Sequence, residues 1–299
     1  MKVQRLGLII SDKLQANAGQ NINGATCVEM PEWYKPRLGN FHLYFADHSG
    51  QFIKVAYTDN IESKWSVSPS RTINLSRFRD AYDHIASPEV FIDHSTKTLR
   101  LYFHARARSK GREQWTFMIC YDQFGGVTRV VDEPLAAFYL RVFKYGDFFY
   151  GVSKGGLLWR STDGLSPFEL GPNLINPCRI DDLWQNEPGD VRHSAVDLDS
   201  ELLEVFFTRI GDKPERIYAG FVNLSKASWL EWVVKDVSEV LRPERVYEGG
   251  ALPLSLSKSG PSLEMENSLR DPYVLRYKNE RYLFYSVAGE RGIALAKIS

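Results

Sequence analysis

The chain has 299 residues, of which 43% are hydrophobic and 13% aromatic, which is enough to bury a substantial core. Lysine plus arginine and aspartate plus glutamate each number 37, so no net field attracts a nucleic acid or an anionic membrane. These counts predict a globular protein and argue against nucleic-acid partners.

The N-terminal segment MKVQRLGLIISDK contains only a short apolar run, Leu6 to Ile10. This run is too short for the hydrophobic region of a secretion signal, and no stretch of the chain approaches membrane-spanning length. Cys27, Cys120 and Cys178 are odd in number and widely spaced, which favours reduced thiols over a disulfide or metal framework. We therefore expect a cytoplasmic protein with no cofactor and no membrane partner.

Short runs rich in Val, Ile, Tyr and Phe follow one another along the chain, separated by Gly, Asp, Asn, Ser and Pro. This pattern is typical of strands and turns, and helical periodicity is scarce. Five of the runs share one core pattern and are predicted to be the second strands of five repeated units. They are LYFAD (43–47), LYFHA (101–105), FFYGV (148–152), VFFTR (205–209) and LFYSV (283–287).

Each of these runs is preceded by an apolar strand with a characteristic opening residue and is followed by a third strand. The openings are Asn23 of NGATCV, Ser87 of SPEVFI, Tyr139 of YLRVFK, His193 of HSAVDL and Asp271 of DPYVLR. Five such units predict a single all-β domain over residues 1–299, a five-bladed β-propeller with about four strands in each blade. A β-sandwich is the alternative, but it gives no reason for one motif to recur five times.

Two irregular stretches interrupt the repeat. One precedes the fourth unit (residues 171–191), and the other, LRPERVYEGGALPLSLSKSGPSLEMENS, separates the fourth and fifth units (residues 241–268). We call the second stretch the insertion. Its length and composition predict a functional loop, because binding residues concentrate on such loops. In another turn, RIGDKPERI, Glu215 is expected to take part in local ion pairs.

In a propeller the first strand of every blade lines the central channel, so the opening residues of all blades should meet at one mouth. Such a mouth is concave and is the default ligand site of this architecture. The predicted site contains Asn23, Ser87, Tyr139, His193 and Asp271, with Glu89, Arg141, Arg192 and Arg270 beside them and Asp47, His48 and His104 on the rim. Trp33 and Trp184 lie in irregular segments and could stack on a ligand. No histidine or cysteine spacing matches a closed zinc site, so we expect no catalytic metal, while a structural cation in the channel stays open.

The motifs that carry a family resemblance are NGATCVEMPEWYKPRLGNFHLYFADHSGQFIKVAYTDNIESKW, HIASPEVFID with LRLYFHAR, RHSAV, YEGGALPL and LRDPYV. In these motifs the chain resembles the five-bladed propeller glycoside hydrolases related to arabinanases, β-xylosidases, levansucrases and invertases, and within them a bacterial branch. The resemblance implies a carbohydrate-active enzyme with two carboxyl groups on either side of the glycosidic bond.

Carried over residue by residue, the resemblance implies that Asp271 is the base or nucleophile and that Glu248, in EGG, donates the proton. The remaining predicted site residues would hold the sugar. Asn23 stands where the family has an aspartate, and an amide can neither take the proton nor attack carbon. A propeller that binds a glycan or sugar acid without cleaving it is therefore the alternative, and a protein-interaction scaffold with exposed apolar patches is a third reading.

Overall fold

The computed structural model describes residues 1–47, 52–70, 73, 75–111, 113–177, 187–226 and 228–299. These residues form five four-stranded antiparallel sheets arranged as a propeller. The predicted all-β, five-bladed fold is confirmed, and each predicted second strand lies second in its blade.

The strands follow the repeat in chain order, except that the first strand of the chain, β1 (Val3–Ile10), belongs to the last blade. Blade 1 contains β2 (Ile22–Glu29), β3 (Phe41–Asp47), β4 (Ile53–Thr58) and β5 (Ser66–Val67). Blade 2 contains β6 (Ala81–Asp93), β7 (Thr98–Ala107), β8 (Gln114–Tyr121) and β9 (Val127–Ala137). Blade 3 contains β10 (Arg141–Tyr145), β11 (Phe148–Val152), β12 (Leu157–Ser161) and β13 (Glu169–Asn173). Blade 4 contains β14 (Val191–Asp199), β15 (Leu202–Arg209), β16 (Ile217–Asn223) and β17 (Lys235–Leu241). Blade 5 contains β18 (Leu269–Tyr277), β19 (Glu280–Val287), β20 (Gly292–Ile298) and β1.

Helical structure among the described residues is limited to single 3-10 turns. They are Leu75–Arg77, Arg108–Lys110, Lys154–Gly156, Trp229–Glu231 and Val246–Glu248. No helix in the described part of the chain is long and apolar enough to cross a membrane.

The innermost strands β2, β6, β10, β14 and β18 contact one another in sequence around the axis, and β18 contacts β2 to close the ring. Closure also depends on β1, which pairs antiparallel with β20 from Val3 opposite Ile298 to Ile10 opposite Ile293. The sequence pattern identified β20 but not its pairing with β1.

The core lies between the blades. Among the described residues, five clusters of buried apolar side chains each join two neighbouring blades. Trp65 of blade 1, for example, is 1% exposed and packs edge-on against Phe284 of blade 5, with 6.2 Å between ring centroids. Burying a large apolar side chain contributes roughly 1.5–3 kcal/mol, so these clusters hold the blades in place and thereby position the mouth.

Candidate functional site

Each innermost strand is distorted near its opening. In β2, β6, β14 and β18 the register with the second strand shifts at this level, which marks a β-bulge. The backbone φ is positive at Gly24 (64°), Ser87 (43°), Tyr139 (62°) and Asp271 (46°). We call the residues at this level the opening ring: Gly24, Ser87, Tyr139, His193 and Asp271. The ring position in blade 1 is thus Gly24, one residue beyond the predicted Asn23.

His193 and Asp271 meet inside the opening ring. Nε2 of His193 lies 2.9 Å from Oδ1 of Asp271, and the hydroxyl of Ser286 donates a hydrogen bond to Oδ2 at 2.9 Å. Tyr139 packs edge-on against the imidazole, with 4.2 Å between ring centroids. The structure therefore brings together the opening residues of blades 3, 4 and 5, as the repeat predicted.

The protonation states of this pair follow from burial and from their neighbours. Burial alone would raise the pKa of the Asp271 carboxyl, but His193, Ser286 and Arg141 together hold that pKa well below its usual range. Burial, together with the charge of Arg192, lowers the pKa of His193 despite the opposing effect of Asp271. At neutral pH Asp271 is consequently a carboxylate beside a neutral imidazole, which suits a base or an anchor and not a proton donor.

Blades 1 and 2 approach each other closely at the same level. A Cβ atom added to Gly24 would lie 2.6 Å from Cα of Ser87, a backbone atom that cannot move aside. Glycine is needed here both for this contact and for its positive φ. The approach closes the opening ring on the side opposite His193 and Asp271.

Glu89 and Arg141 lie one layer below the opening ring and bind to the protein itself. Nη1 of Arg141 donates to Oε2 of Glu89 at 2.9 Å and to Oγ1 of Thr26 at 2.6 Å. The same guanidinium donates to the Ser194 carbonyl at 3.1 Å and lies 5.4 Å from the Tyr273 ring centroid. Both residues were predicted to contact ligand, whereas the structure places them in a buried ion pair whose contacts reach all five blades.

Arg192 and Arg270 lie one residue before the opening ring and share Glu215. Nε of Arg192 donates to Oε1 of Glu215 at 2.8 Å, and Nε of Arg270 donates to Oε2 at 2.9 Å. Arg270 also pairs with Glu266 at 2.8 Å and with Glu290 at 3.4 Å. Burial alone would raise the pKa of Glu215, but the two guanidiniums outweigh it and lower that pKa. The expected local pairing of Glu215 is corrected: its partners lie in the first strands of two blades.

The insertion covers this side of the mouth. Arg192 donates to the Ser257 hydroxyl at 3.0 Å, to the Gly260 carbonyl at 3.2 Å and to the Lys258 carbonyl. A small cavity of about 110 Å³ remains open, which we call the mouth pocket. It is lined by Gln114, Phe138, Tyr139, Lys154, Arg192, Ile210, Ser259 and Gly260.

The sequence analysis missed four residues of the mouth pocket outside the insertion: Gln114, Phe138, Lys154 and Ile210. The backbone N–H of Lys154 donates to the carbonyl of Phe138 at 3.0 Å, so Lys154 occupies in blade 3 the place that His104 and Ser286 occupy in blades 2 and 5. The predicted second strand FFYGV ends at Val152, so the comparison of the five second strands did not include Lys154. Gln114 begins a third strand and carries no repeat signal, yet its Oε1 is buried without a hydrogen-bond partner.

The predicted rim residues are only partly at the mouth. Nε2 of His104 lies 3.1 Å from Nε2 of His84, and its ring packs against Tyr139 with 4.8 Å between centroids. Asp47 lies at the end of β3 and is 3.6 Å from Nζ of Lys54. Trp33 follows the opposite end of β2 and contacts Tyr34 and His94, so it lies away from this mouth. His48 and Trp184 lie outside the described residues.

Glu248 is fully buried, but its contacts place it away from the opening ring. Its Oε1 accepts from Nε of Arg5 at 2.8 Å and from the hydroxyl of Tyr285 at 2.9 Å. Its Oε2 accepts from the backbone N–H groups of Glu244 and Arg245 at 2.8 and 2.9 Å. Arg5 and Tyr285 attach the insertion to blade 5, whereas the two backbone donors belong to the insertion itself. None of the four belongs to the His193 and Asp271 cluster. The structure thus gives Glu248 an anchoring place, in contrast to the predicted role of proton donor.

Metal and thiol chemistry has no centre in the described residues. No group of three or more histidine, cysteine, aspartate or glutamate side chains is placed there to hold a metal ion. Cys27 and Cys120 are free and buried, as expected for core thiols, and Cys178 lies outside the described residues.

Solved structures with a similar fold include glycoside hydrolases. A thermostable family-43 glycoside hydrolase superposes with a TM-score of 0.63 over 95% of this chain and 90% of its own, at 12% identity. The GH43_1 enzyme from Xanthomonas citri complexed with xylotriose gives 0.64 over 99% and 91%, at 10% identity. The α-L-arabinanase of Cellvibrio cellulosa gives 0.55 over 92% and 90%, at 13% identity.

At the level of sequence, no family model matches the chain. The chain belongs to the same family as the uncharacterized protein R118 of Acanthamoeba polyphaga mimivirus. The two are 34% identical over 301 residues, which span 93% of this chain and 83% of the viral protein.

Proposed function

We propose that this protein binds an acidic monosaccharide, either free or at the end of a glycan, in the mouth pocket. The observation that carries the proposal is the lining of that pocket, in which Lys154, Arg192, Gln114 and Tyr139 occur together with Phe138. Cations suit a carboxylate, amides and hydroxyls suit sugar hydroxyls, and an aromatic ring suits the C–H face of a sugar. The described lining residues include Lys154 and Arg192 and no carboxylate, and Arg192 is paired with Glu215, which lies outside the lining.

The size of the pocket limits the ligand. Its volume of about 110 Å³ corresponds to roughly four water molecules at about 30 Å³ each. This space suits the carboxylate end of one sugar and excludes an internal segment of a polysaccharide. The xylose and xylotriose complexes of the Xanthomonas citri enzyme support carbohydrate as the ligand class through the shared fold.

The buried carboxylates of the described residues argue against the usual hydrolytic mechanism. Asp271 is the only carboxylate in the opening ring and contacts His193, while Glu89 and Glu215 are each held by arginine. Glycoside hydrolysis needs a second carboxyl group that stays protonated to act as the acid. Burial raises the pKa of Glu89, but Arg141, Thr26 and the Val142 N–H bind this carboxyl group inside the protein, which favours binding over cleavage.

Binding is tested by calorimetric titration with D-glucuronate and with D-glucose, which differ by a carboxylate. We expect saturable glucuronate binding, and we expect Lys154→Met to weaken it about tenfold or more because a charge-assisted hydrogen bond is lost. Gln114→Glu should weaken the binding of glucuronate and leave the binding of glucose unchanged, because it adds a negative charge that repels the carboxylate of glucuronate. Lys144→Met is the control, since Lys144 is an exposed lysine of the same blade outside the pocket. Equal affinity for the two sugars, or no affinity for either, overturns the proposal.

A second candidate is glycoside hydrolysis, which is favoured by the position of Asp271 at a strand opening. Its test is incubation with xylotriose followed by mass analysis of the sugar. Cleavage by the wild-type chain that is lost in Asp271→Asn would establish a hydrolase with Asp271 as a catalytic group. Recovery of intact xylotriose from every sample rejects this candidate for that substrate.

A further inference from the structure

A second and larger cavity lies away from the axis, between blade 5 and the insertion. Its volume is about 670 Å³, within the range of about 300–1,000 Å³ that small-molecule sites occupy. We call it the side pocket. Its apolar lining comprises Leu8, Val246, Tyr247, Met265, Val287 and Ala288.

Arg291 supplies a positive charge to the side pocket. Its Nη1 donates to the carbonyl of Gln20 at 3.0 Å and its Nη2 donates to the carbonyl of Leu263. Its Nε is buried without a hydrogen-bond partner, and no carboxylate among the described residues pairs with the guanidinium. The described residues thus leave the positive charge of Arg291 without a carboxylate partner, so an anionic group of a ligand would be favoured beside the guanidinium.

Two further charges lie on the rim. Lys13 and Asp12 both line the side pocket, and they offset each other. With Arg291 the lining therefore carries one net positive charge, which is complementary to a single anionic group.

The apolar surface continues from the side pocket onto the insertion. Val246 is 80% exposed and Met265 is 56% exposed, and Leu263, the residue whose carbonyl holds Arg291, is 78% exposed. Leu254 and Leu256 of the same insertion are 57% and 59% exposed. Exposed apolar side chains mark binding surfaces, and two of these, Val246 and Met265, line the side pocket.

We propose that the side pocket binds a single-chain amphiphile, an aliphatic tail with an anionic head of the carboxylate type. The tail lies against Val246, Tyr247 and Met265, and the anionic head pairs with the guanidinium of Arg291. This site is separate from the mouth pocket and does not depend on the sugar-binding proposal, because the two pockets share no lining residue.

The test is calorimetric titration of the full chain with dodecanoate below its micelle concentration, and with dodecanol as the uncharged counterpart. We expect saturable binding of dodecanoate and about tenfold or more weaker binding of dodecanol, because the alcohol lacks the charge that Arg291 complements. Absence of saturable dodecanoate binding overturns the site. Equal affinity for the two compounds overturns the assignment of the head group to Arg291.

Two surface variants distinguish a specific site from nonspecific binding to exposed apolar side chains. Met265→Glu places a carboxylate in the pocket at an exposed position, so it should fold normally and abolish dodecanoate binding. Leu230→Glu is the matched control, since Leu230 is 59% exposed on blade 4 and does not line the pocket, and it should bind like the wild type. Similar losses in both variants overturn the proposal.

A second copy of the chain is the competing occupant. Sedimentation of the wild type and of Met265→Glu detects it directly. A wild-type dimer that Met265→Glu converts to a monomer overturns the amphiphile proposal, and a wild-type monomer supports it.

Discussion

Removing the charge of Glu215 should destabilise the whole propeller. Glu215→Gln keeps the shape of the side chain but leaves Arg192 and Arg270 without the carboxylate that both bind, at 2.8 and 2.9 Å, in a fully buried setting. Removing one partner of a buried ion pair costs about 3–5 kcal/mol. Unfolding entropy is about 0.6 kcal/mol/K for a chain of this length, so the Tm should fall by about 5–8 °C.

Differential scanning calorimetry at pH 7 measures this effect. At pH 7 the full stability difference between the wild type and Glu215→Gln is present, because the pKa of Glu215 is lowered in the folded chain. The stabilising contribution of the Glu215 carboxylate is lost only as the pH falls below the ordinary glutamate range. Glu266→Gln is the matched control: Glu266 binds the same Arg270 at 2.8 Å, but its side chain is 28% exposed, so the loss should stay below about 1 kcal/mol. Equal Tm losses in the two variants would refute the shared-carboxylate interpretation.

Two further predictions concern acid stability and the opening ring. Nε2 of His42 accepts the Leu38 N–H at 3.0 Å, and burial with the nearby Arg37 charge lowers the His42 pKa to about 4. Because the pKa of histidine in the unfolded chain is about 6.5, protonation of His42 should lower the free energy of unfolding by about 2–3 kcal/mol between pH 7 and pH 4.5. Urea titrations should show a smaller decrease in His42→Gln. Gly24→Ala should cost about 2–3 kcal/mol through positive φ and the Ser87 backbone contact, whereas Gly146→Ala, with positive φ but open space around it, should cost about 1 kcal/mol. Similar urea midpoints for the two alanine variants would contradict the close approach of the blades.

The fold was predictable because the propeller repeats a local pattern. Five strand triplets with the same apolar core recur along the chain, and each triplet can be recognised from residues that are close together in the sequence. The pairing of β1 with β20 joins residues almost 300 positions apart, and no local pattern specifies it. The sequence therefore predicted the blades and missed how the ring closes.

The site was predictable only where it follows the repeat. His193 and Asp271 share one offset from their second strands, and they meet as expected. Strand alternation predicts that Arg270 and Asp271 face opposite sides, but the bulge at Asp271, with a φ of 46°, allows both to face the mouth region. Glu248 follows no repeat, because its position depends on the path of the insertion, and the similarity of its EGG turn to a catalytic turn carried no information on where that turn packs.

The closure of blade 5 by β1 brings the two chain ends side by side. The backbone N–H of Lys2 donates to the carbonyl of Ser299 at 2.9 Å, and the N–H of Ser299 donates to the carbonyl of Lys2 at 3.1 Å. During synthesis β1 has no partner until β20 has been made, so the last blade can assemble only at the end, and loop-closure entropy makes that step slow. The same adjacency means that the ends can be joined by a short peptide and the chain reopened at an exposed turn between blades, which would convert the latest contact of folding into one of the earliest.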